Sequence, residues 1–430
     1  MSLKETYDAI VIGGGPGGST VSALLAEYGH RVLLLEREFV PRYHIGESLI
    51  PYTWFTLNRL GVVDWLKQSA CPKKYSVQFV SITGKVSQPF YFFSTIKHEC
   101  SQTWQVWRGE FDAMLLDNAR KKGVEIRQGV TVRDVLMEGS RVVGVRADTK
   151  DGAKGHPPSP EASGGKGREI RAKVVVDATG RDSLLTRKFE WKSRDRYLNK
   201  IAVWSYYKDA LRDPGLDEGA TTVAYVPHKG WFWYIPMHSN IVSVGVVAEP
   251  GYLYRDTRDP EVIYQREIDS CVWIRDHVKI GTRCEPVRVT GEYSYHSSQI
   301  GGDGFCLVGD AFAFLDPLFS TGVFLALKSG EMAADAIHAG LSTAGQVSAH
   351  HFDEYFKKQQ HSVTSFRRLV MAFYDETFSF REFLQVYPEM NSLIIDTLVG
   401  NVFTDLEPLY KALKEYGQRQ TRAHIDAATA

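Results

Sequence analysis

The chain has 430 residues, 43% of them apolar and 24% charged, with 51 basic side chains balanced by 51 acidic ones. This length exceeds what one hydrophobic core usually serves, so two or three subdomains are expected, and the charge balance argues against nucleic acid as the main partner. No run of about 18 apolar residues predicts a membrane span, and five scattered cysteines without a CxxC pair suit a reducing cytoplasm and offer no metal site.

Residues 7–12 (Tyr-Asp-Ala-Ile-Val-Ile) form a largely apolar run that predicts a buried parallel strand. A strand so early leaves no room for a secretory signal, so a cytoplasmic location is expected. Gly13-Gly14-Gly15-Pro16-Gly17-Gly18 follows, then a helix through Tyr28 carrying Val21, Leu24 and Leu25, with Gly29 as its C-cap. A second strand, 31–35, closes with Glu36. Gly13, Gly15 and Gly18 supply a tight turn, close backbone approach to a pyrophosphate, and tight helix–strand packing. The helix N-terminus then faces phosphates, and Glu36, eighteen residues past Gly18, is placed to bind a ribose. Together these predict a dinucleotide-binding βαβ unit.

Residues 110–122 predict a helix with Phe111, Met114, Leu115 and Ala119 on one face, followed by short strands at 124–127, 131–138 and 141–148. The Gly-, Pro- and Ser-rich segment 151–169 reads as an exposed, mobile hairpin tip. Strand 172–177 leads to Ala178-Thr179-Gly180, and 200–300 is β-rich, including 242–248. Strand 305–308 ends at Gly309-Asp310, a helix spans 323–339, and the chain beyond 350 is helical in character. Within the β-rich part, Gly230-Trp231-Phe232-Trp233-Tyr234-Ile235-Pro236 places Trp231 and Trp233 on one face and Phe232 and Tyr234 on the other. A strand bulky on both faces is either buried between two layers or presents one face as a rigid wall.

The N-terminal unit, Arg108-x-x-Phe111-Asp112, Asp177-Ala178-Thr179-Gly180 and Gly309-Asp310 together resemble the flavoprotein monooxygenase superfamily. The resemblance implies FAD, with Gly13, Gly15, Gly18, Glu36, Arg37, Ser48 and Arg108 at the cofactor. It extends that role to Val132, Asp177, Gly180, Gly309, Asp310, Pro317, Gly322 and Val323. The expected fold is α/β: a Rossmann-like FAD-binding domain (1–75, 108–200 and 286–345) interleaved with a β-rich substrate domain (76–107 and 201–285), plus a C-terminal helical region (346–430).

Four further segments narrow the resemblance to flavin-dependent halogenases, of the type acting on phenols, pyrroles or carrier-bound aromatics. They are the W-x-W-x-I-P of 231–236, Pro41-Arg42-x-x-x-Gly46-Glu47-Ser48-x-x-Pro51, Lys73-Lys74-Tyr75-Ser76-Val77-Gln78-Phe79, and Asp316-Pro317-Leu318-Phe319-Ser320-Thr321-Gly322-Val323. Tryptophan halogenases resemble P-L-E-S-T-G in the last segment. Phe319 in place of that glutamate argues against free tryptophan as substrate. The resemblance implies that reduced FAD, O2 and chloride or bromide yield hypohalous acid, with the halide at Ser320, Thr321 and Gly322. It makes Lys74 the catalytic amine, and Trp231 and Trp233 a shield beside the flavin. A separate flavin reductase would supply reduced FAD, and the aromatic substrate would be free or carried on a protein.

Lys74 has two possible roles, as a hydrogen-bonding ammonium or a nucleophilic amine; Lys73-Lys74 also reads as two solvated lysines. At an ordinary pKa of about 10.4, only about one lysine in 2,500 is neutral near pH 7, so the nucleophilic role requires desolvation. Two other readings share the nucleotide motifs: a geranylgeranyl-reductase-like enzyme, whose strand resembles Y-x-W-x-F-P, and an aromatic hydroxylase, in which histidine is common after Gly-Asp. A flavin-binding protein without turnover is a third. Phe373, Tyr374, Phe378, Phe380 and Phe383 either line a substrate chamber or form the packed stripe of amphipathic helices.

Overall fold

A computed structural model describes residues 6–149, 167–227, 230–291, 294–375 and 378–429; the 151–169 segment lies almost wholly outside them. Two sheets organise the α/β chain. In the first, strands run in the order Phe305–Leu307, Arg168–Asp177, Thr6–Ile12, Val32–Glu36, Glu125–Gln128, all mutually parallel. Val32–Glu36 is buried throughout, as an unbroken apolar run covered on both faces requires. Because the strands are parallel, the turns after Ile12, Asp177 and Leu307 meet at one edge. An antiparallel hairpin, Val130–Glu138 with Arg141–Thr149, joins this sheet through Arg168–Asp177. That pairing holds residues 168–171 and extends the strand beyond the expected 172–177.

The second sheet runs Thr282–Arg283, Ile201–Lys208, Ile241–Ala248, Gly230–Met237, Thr221–Val226, Ser76–Val80, Phe90–Tyr91. Every residue of Gly230–Met237 is buried, and the strand lies between two packed layers. Phe232 and Tyr234 pack with Tyr264, Ile268 and Trp273 of helices Pro260–Ser270 and Val272–Val278. Trp231 and Trp233 pack on the opposite side with Trp204, Leu318 and Phe373.

Helix Gly322–Ala344 is longer than the periodicity predicts, and helix Arg108–Lys121 begins at Arg108 because Trp107 is extended. The C-terminal part is helical: Asp353–Tyr374, Phe380–Val386, Asn391–Val399 and Glu407–Thr429. Its aromatics divide. Phe373 joins the tryptophan cluster, whereas Phe378 and Phe383 pack in a separate core with Tyr416. No helix among the described residues is long and apolar enough to cross a membrane.

Candidate active site

The turn after strand Thr6–Ile12 is shaped by glycine at two positions. Gly13 has φ +106, and a Cβ on Gly18 would lie 1.9 Å from the Gly13 carbonyl oxygen. Gly15 faces open space, where a Cβ would meet only Arg42 Nη2 at 3.8 Å, and a Cβ on Gly180 would meet nothing within 4 Å. These openings sit at the carboxyl ends of neighbouring parallel strands, where an extended dinucleotide fits. Glu36 is buried at the end of its strand; its Oε2 accepts from the Gly14 amide at 2.7 Å and lies 3.8 Å from Arg42. Val132 is buried in the adjoining hairpin. Asp310 has its carboxyl pushed up to about 6 by desolvation, with Arg181 and Arg108 opposing.

Several motif side chains are already engaged within the protein. Arg37 is exposed and pairs with Asp182. Arg108 binds Asp112 through two nitrogens, at 2.9 and 3.2 Å, and donates to the Ile45 carbonyl at 2.8 Å, so it clamps the loop carrying Glu47 and Ser48. Asp177 accepts from Thr179 N, Thr179 Oγ1 and Leu185 N at 3.0, 2.7 and 2.7 Å, fixing the turn around Gly180.

The loop after Gly309-Asp310 folds back over the tryptophan face. Asp316 is buried, its Oδ1 accepting from Leu318 N at 3.1 Å and its Oδ2 from Tyr374 Oη at 2.9 Å. Burial pushes its carboxyl up to about 6, against the pull of the Tyr374 hydroxyl. Pro317 opens a short 3-10 turn, and the Ser320 amide donates to the Pro317 carbonyl at 2.9 Å. This donor is therefore committed, whereas the Thr321 and Gly322 amides have no acceptor among the described residues. Ser320 takes φ +56, a strained conformation for a residue with a side chain. Gly322 and Val323 begin the following helix, whose positive end faces this turn.

Trp231 Nε1 donates to Tyr374 Oη at 2.8 Å and Trp233 Nε1 to Ser243 Oγ at 3.0 Å, with the two rings 6.1 Å apart. Both indoles are thereby fixed. Beside them, Trp204 Nε1 donates to Tyr43 Oη at 2.7 Å, Tyr43 and Tyr206 hydroxyls lie 3.0 Å apart, and Tyr206 donates to Glu47 Oε1 at 2.6 Å. Desolvation pushes the buried Glu47 carboxyl up to about 7. Motif reading located Glu47 but not its partners Tyr43 and Tyr206, which carry no spacing signal.

Lys73 and Lys74 form a two-residue strand pairing with Thr103–Trp104. Lys73 is exposed and Lys74 is 1% exposed, so the solvated reading holds for Lys73 and fails for Lys74. Lys74 Nζ donates to Ser48 Oγ at 2.8 Å and to the Leu49 carbonyl at 3.1 Å. Both partners are neutral, and desolvation pulls the ammonium down to about 7. Ser48, expected at the cofactor, has its hydroxyl oxygen within hydrogen-bond distance of Lys74 Nζ and Thr221 Oγ1. Two surface cavities, of about 310 Å³ beside Tyr295 and about 570 Å³ beside Tyr225, do not include Lys74 in their linings.

The profile of the family described as tryptophan halogenase matches residues 8–108 and 82–381. The chain is 29% identical over 422 residues to a 1H-pyrrole-2-carbonyl-[peptidyl-carrier protein] chlorinase of Pseudomonas fluorescens, covering 93% of this chain and 90% of that protein. It is 32% identical over 383 residues to a tryptophan 2-halogenase of Chondromyces crocatus, covering 87% and 69%. Among solved structures, the flavin-dependent brominase Bmp2 superposes with a TM-score of 0.84 at 28% identity, covering 96% of this chain and 100% of that one.

Proposed function

The chain belongs to the flavin-dependent halogenases, and from that membership we propose that it halogenates an electron-rich aromatic ring through Lys74, using reduced FAD, O2 and chloride or bromide. The observation that carries this reading is a fully buried lysine whose hydrogen bonds among the described residues go to a hydroxyl and a carbonyl, with the Phe92 ring 5.6 Å from its nitrogen. At a pKa of about 7, roughly half of Lys74 is the free amine at neutral pH. That population favours the nucleophilic role over the ammonium role.

FAD would lie across the glycine turn, with Gly13, Gly15 and Gly18 at the pyrophosphate and Glu36 near a ribose. Arg37, Arg108, Val132, Asp177 and Gly180 would border or shape its site, and Gly309, Asp310, Pro317, Gly322 and Val323 would close the far side. Reduced flavin supplies the electrons that, with O2 and halide, yield hypohalous acid. The Thr321 and Gly322 amides would hold the halide at a helix N-terminus. Trp231 and Trp233, locked by Tyr374 and Ser243, would keep substrate and water away from the flavin face. At Lys74, the amine nitrogen takes X⁺ from HOX and releases water, giving an N-haloamine. The ring carbon then takes X from nitrogen while its displaced proton restores the amine.

The sequence segments at 76–107 and 201–285 would form the substrate unit, with 346–430 covering it. Phe319 packs among neighbouring apolar clusters and brings no carboxylate to the chamber. A phenol or pyrrole fits this better than free tryptophan, and a carrier-bound ring fits the named pyrrole chlorinase. A separate cytoplasmic flavin reductase would deliver the reduced cofactor.

The test is a reductase-coupled assay with NADH, FAD, chloride or bromide, and a panel of phenols and pyrroles, free and carrier-bound. Products should carry the halogen isotope pattern. Lys74→Ala should lose product by at least about a hundredfold while reduced flavin is still reoxidised. Undiminished halogenation in that variant would move the chemistry elsewhere.

A further inference from the structure

Three segments distant in sequence converge on Lys74. Ser48 and Thr221 hydroxyl oxygens lie 2.9 Å apart, and Gln105 Nε2 donates to Thr221 Oγ1 and to the Gly219 carbonyl, each at 2.9 Å. All four side chains are buried: Lys74 1%, Ser48 4%, Thr221 4% and Gln105 0% exposed. Thr103 is the strand partner of Lys74, and Gln105, two residues on, shares its face. Resting on Lys74 as the halogen-transfer amine, we infer that Thr221 and Gln105 are positioning residues that aim its nitrogen through Ser48.

The argument is geometric. An ammonium has three N–H directions, and Ser48 Oγ and the Leu49 carbonyl take two. Deprotonation at the remaining vertex leaves the lone pair there, so the two acceptors decide where the amine can react. The Leu49 carbonyl is backbone and cannot turn away. The Ser48 hydroxyl can rotate, and its direction is set by Thr221. Gln105 fixes Thr221 in turn, because the Gly219 carbonyl requires the amide nitrogen on that side. A chain made only for packing would satisfy its polar atoms. Here Gln105 Oε1 and Thr103 Oγ1 are buried with no partner among the described residues, as expected of a site that a small polar ligand completes.

The sign of the effect follows. Where Ser48 is the donor of the Ser48–Thr221 pair, its oxygen is left to accept from Lys74 and favours the ammonium. Without the Thr221 hydroxyl, the Ser48 O–H turns to the amine lone pair and favours the neutral form. Thr221→Val should therefore move the acid limb of the pH–rate profile to lower pH, yet block the reactive vertex. The measurement is halogenated product per hypohalous acid formed, the latter scored with a diffusible trap, across pH 5.5–9 on the FAD-loaded enzyme. We expect this ratio to fall about tenfold to a hundredfold, with a downward shift of the limb, and both to return in Thr221→Ser. Gln105→Met should lower the ratio in the same direction, and it serves alone if Thr221→Val does not fold. Wild-type ratio and limb in the folded variants would overturn the inference, as would a loss of rate with the limb unmoved. Undiminished product in Lys74→Ala would instead sink the reading on which it rests.

Discussion

The glycine cradle and the buried Lys74 network are built in opposite ways. The cradle is made of backbone. Its key residues are glycines at strand ends, and most of its charged side chains, such as Arg108 and Asp177, shape loops by binding other parts of the protein. The network is made of side chains. A lysine, two hydroxyls and an amide from four segments are joined head to tail, and the backbone contributes the Leu49 and Gly219 carbonyls. A backbone site tolerates no added atom where two chains touch, whereas a side-chain site tolerates substitution structurally and fails chemically.

The sharpest way to break this contrast is Gly18→Val. Overpacking where side chains can move costs about 1–3 kcal/mol, but here the obstacle is the Gly13 carbonyl, at 1.9 Å from the first added carbon. The turn cannot close around that contact. The variant is expected to yield no folded, flavin-loaded protein, read by thermal unfolding and released FAD. Gly15→Ala, which enters open space, should change unfolding by less than about 0.5 kcal/mol and weaken FAD binding alone. Equal behaviour of the two variants would remove the distinction.

The same contrast explains what was legible in the sequence. Gly13, Gly15, Gly18 and Glu36 stand at fixed offsets along one βαβ unit, so spacing alone exposes the cradle, and an unbroken apolar run exposes its strands. Lys74 was legible only by its distance from the Gly46-Glu47-Ser48 loop; that Lys73 is solvated while Lys74 is buried follows from the alternation of a strand two residues long. Thr221 and Gln105 could not be found, because a single polar residue in an apolar strand has no partner until the sheet assembles. The commitment of the Ser320 amide was equally invisible, since it depends on a left-handed residue that is not glycine.

A second test asks what the buried amine does to stability. Lys74 titrates near 7 when folded and near 10.5 in an unfolded chain. Below about pH 7 both states hold the proton, and the full penalty of burying the charge is present. As pH rises from 7 to 10.5 the unfolded chain binds more protons, so the wild type gains stability across that window. Lys74→Met, similar in shape and uncharged, should be more stable at pH 6 by a few kcal/mol. Its advantage should shrink steadily toward pH 9 in denaturant unfolding. A difference independent of pH would mean that Lys74 is not desolvated.

The smallest effect is expected where the two regions join. The Tyr374 hydroxyl accepts from Trp231 and donates to Asp316, tying the C-terminal helix to both the indole wall and the loop of Thr321 and Gly322. Tyr374→Phe removes both bonds and leaves two buried partners unsatisfied. The loss depends on pH because Asp316 titrates near 6, raised by burial, with the Tyr374 hydroxyl holding it down. At pH 5 Asp316 is largely neutral and the variant should lose about 1 kcal/mol. At pH 8 it is ionised, the lost bond is charge-assisted, and the loss should grow to about 2–3 kcal/mol. Loosening of the loop should also raise the halide KM a few-fold at pH 8 with less change in kcat, because the amides proposed to receive the anion belong to the segment Asp316 anchors. A uniform loss across pH, with halide KM unmoved, would show that Tyr374 merely packs and that wall and loop are held independently.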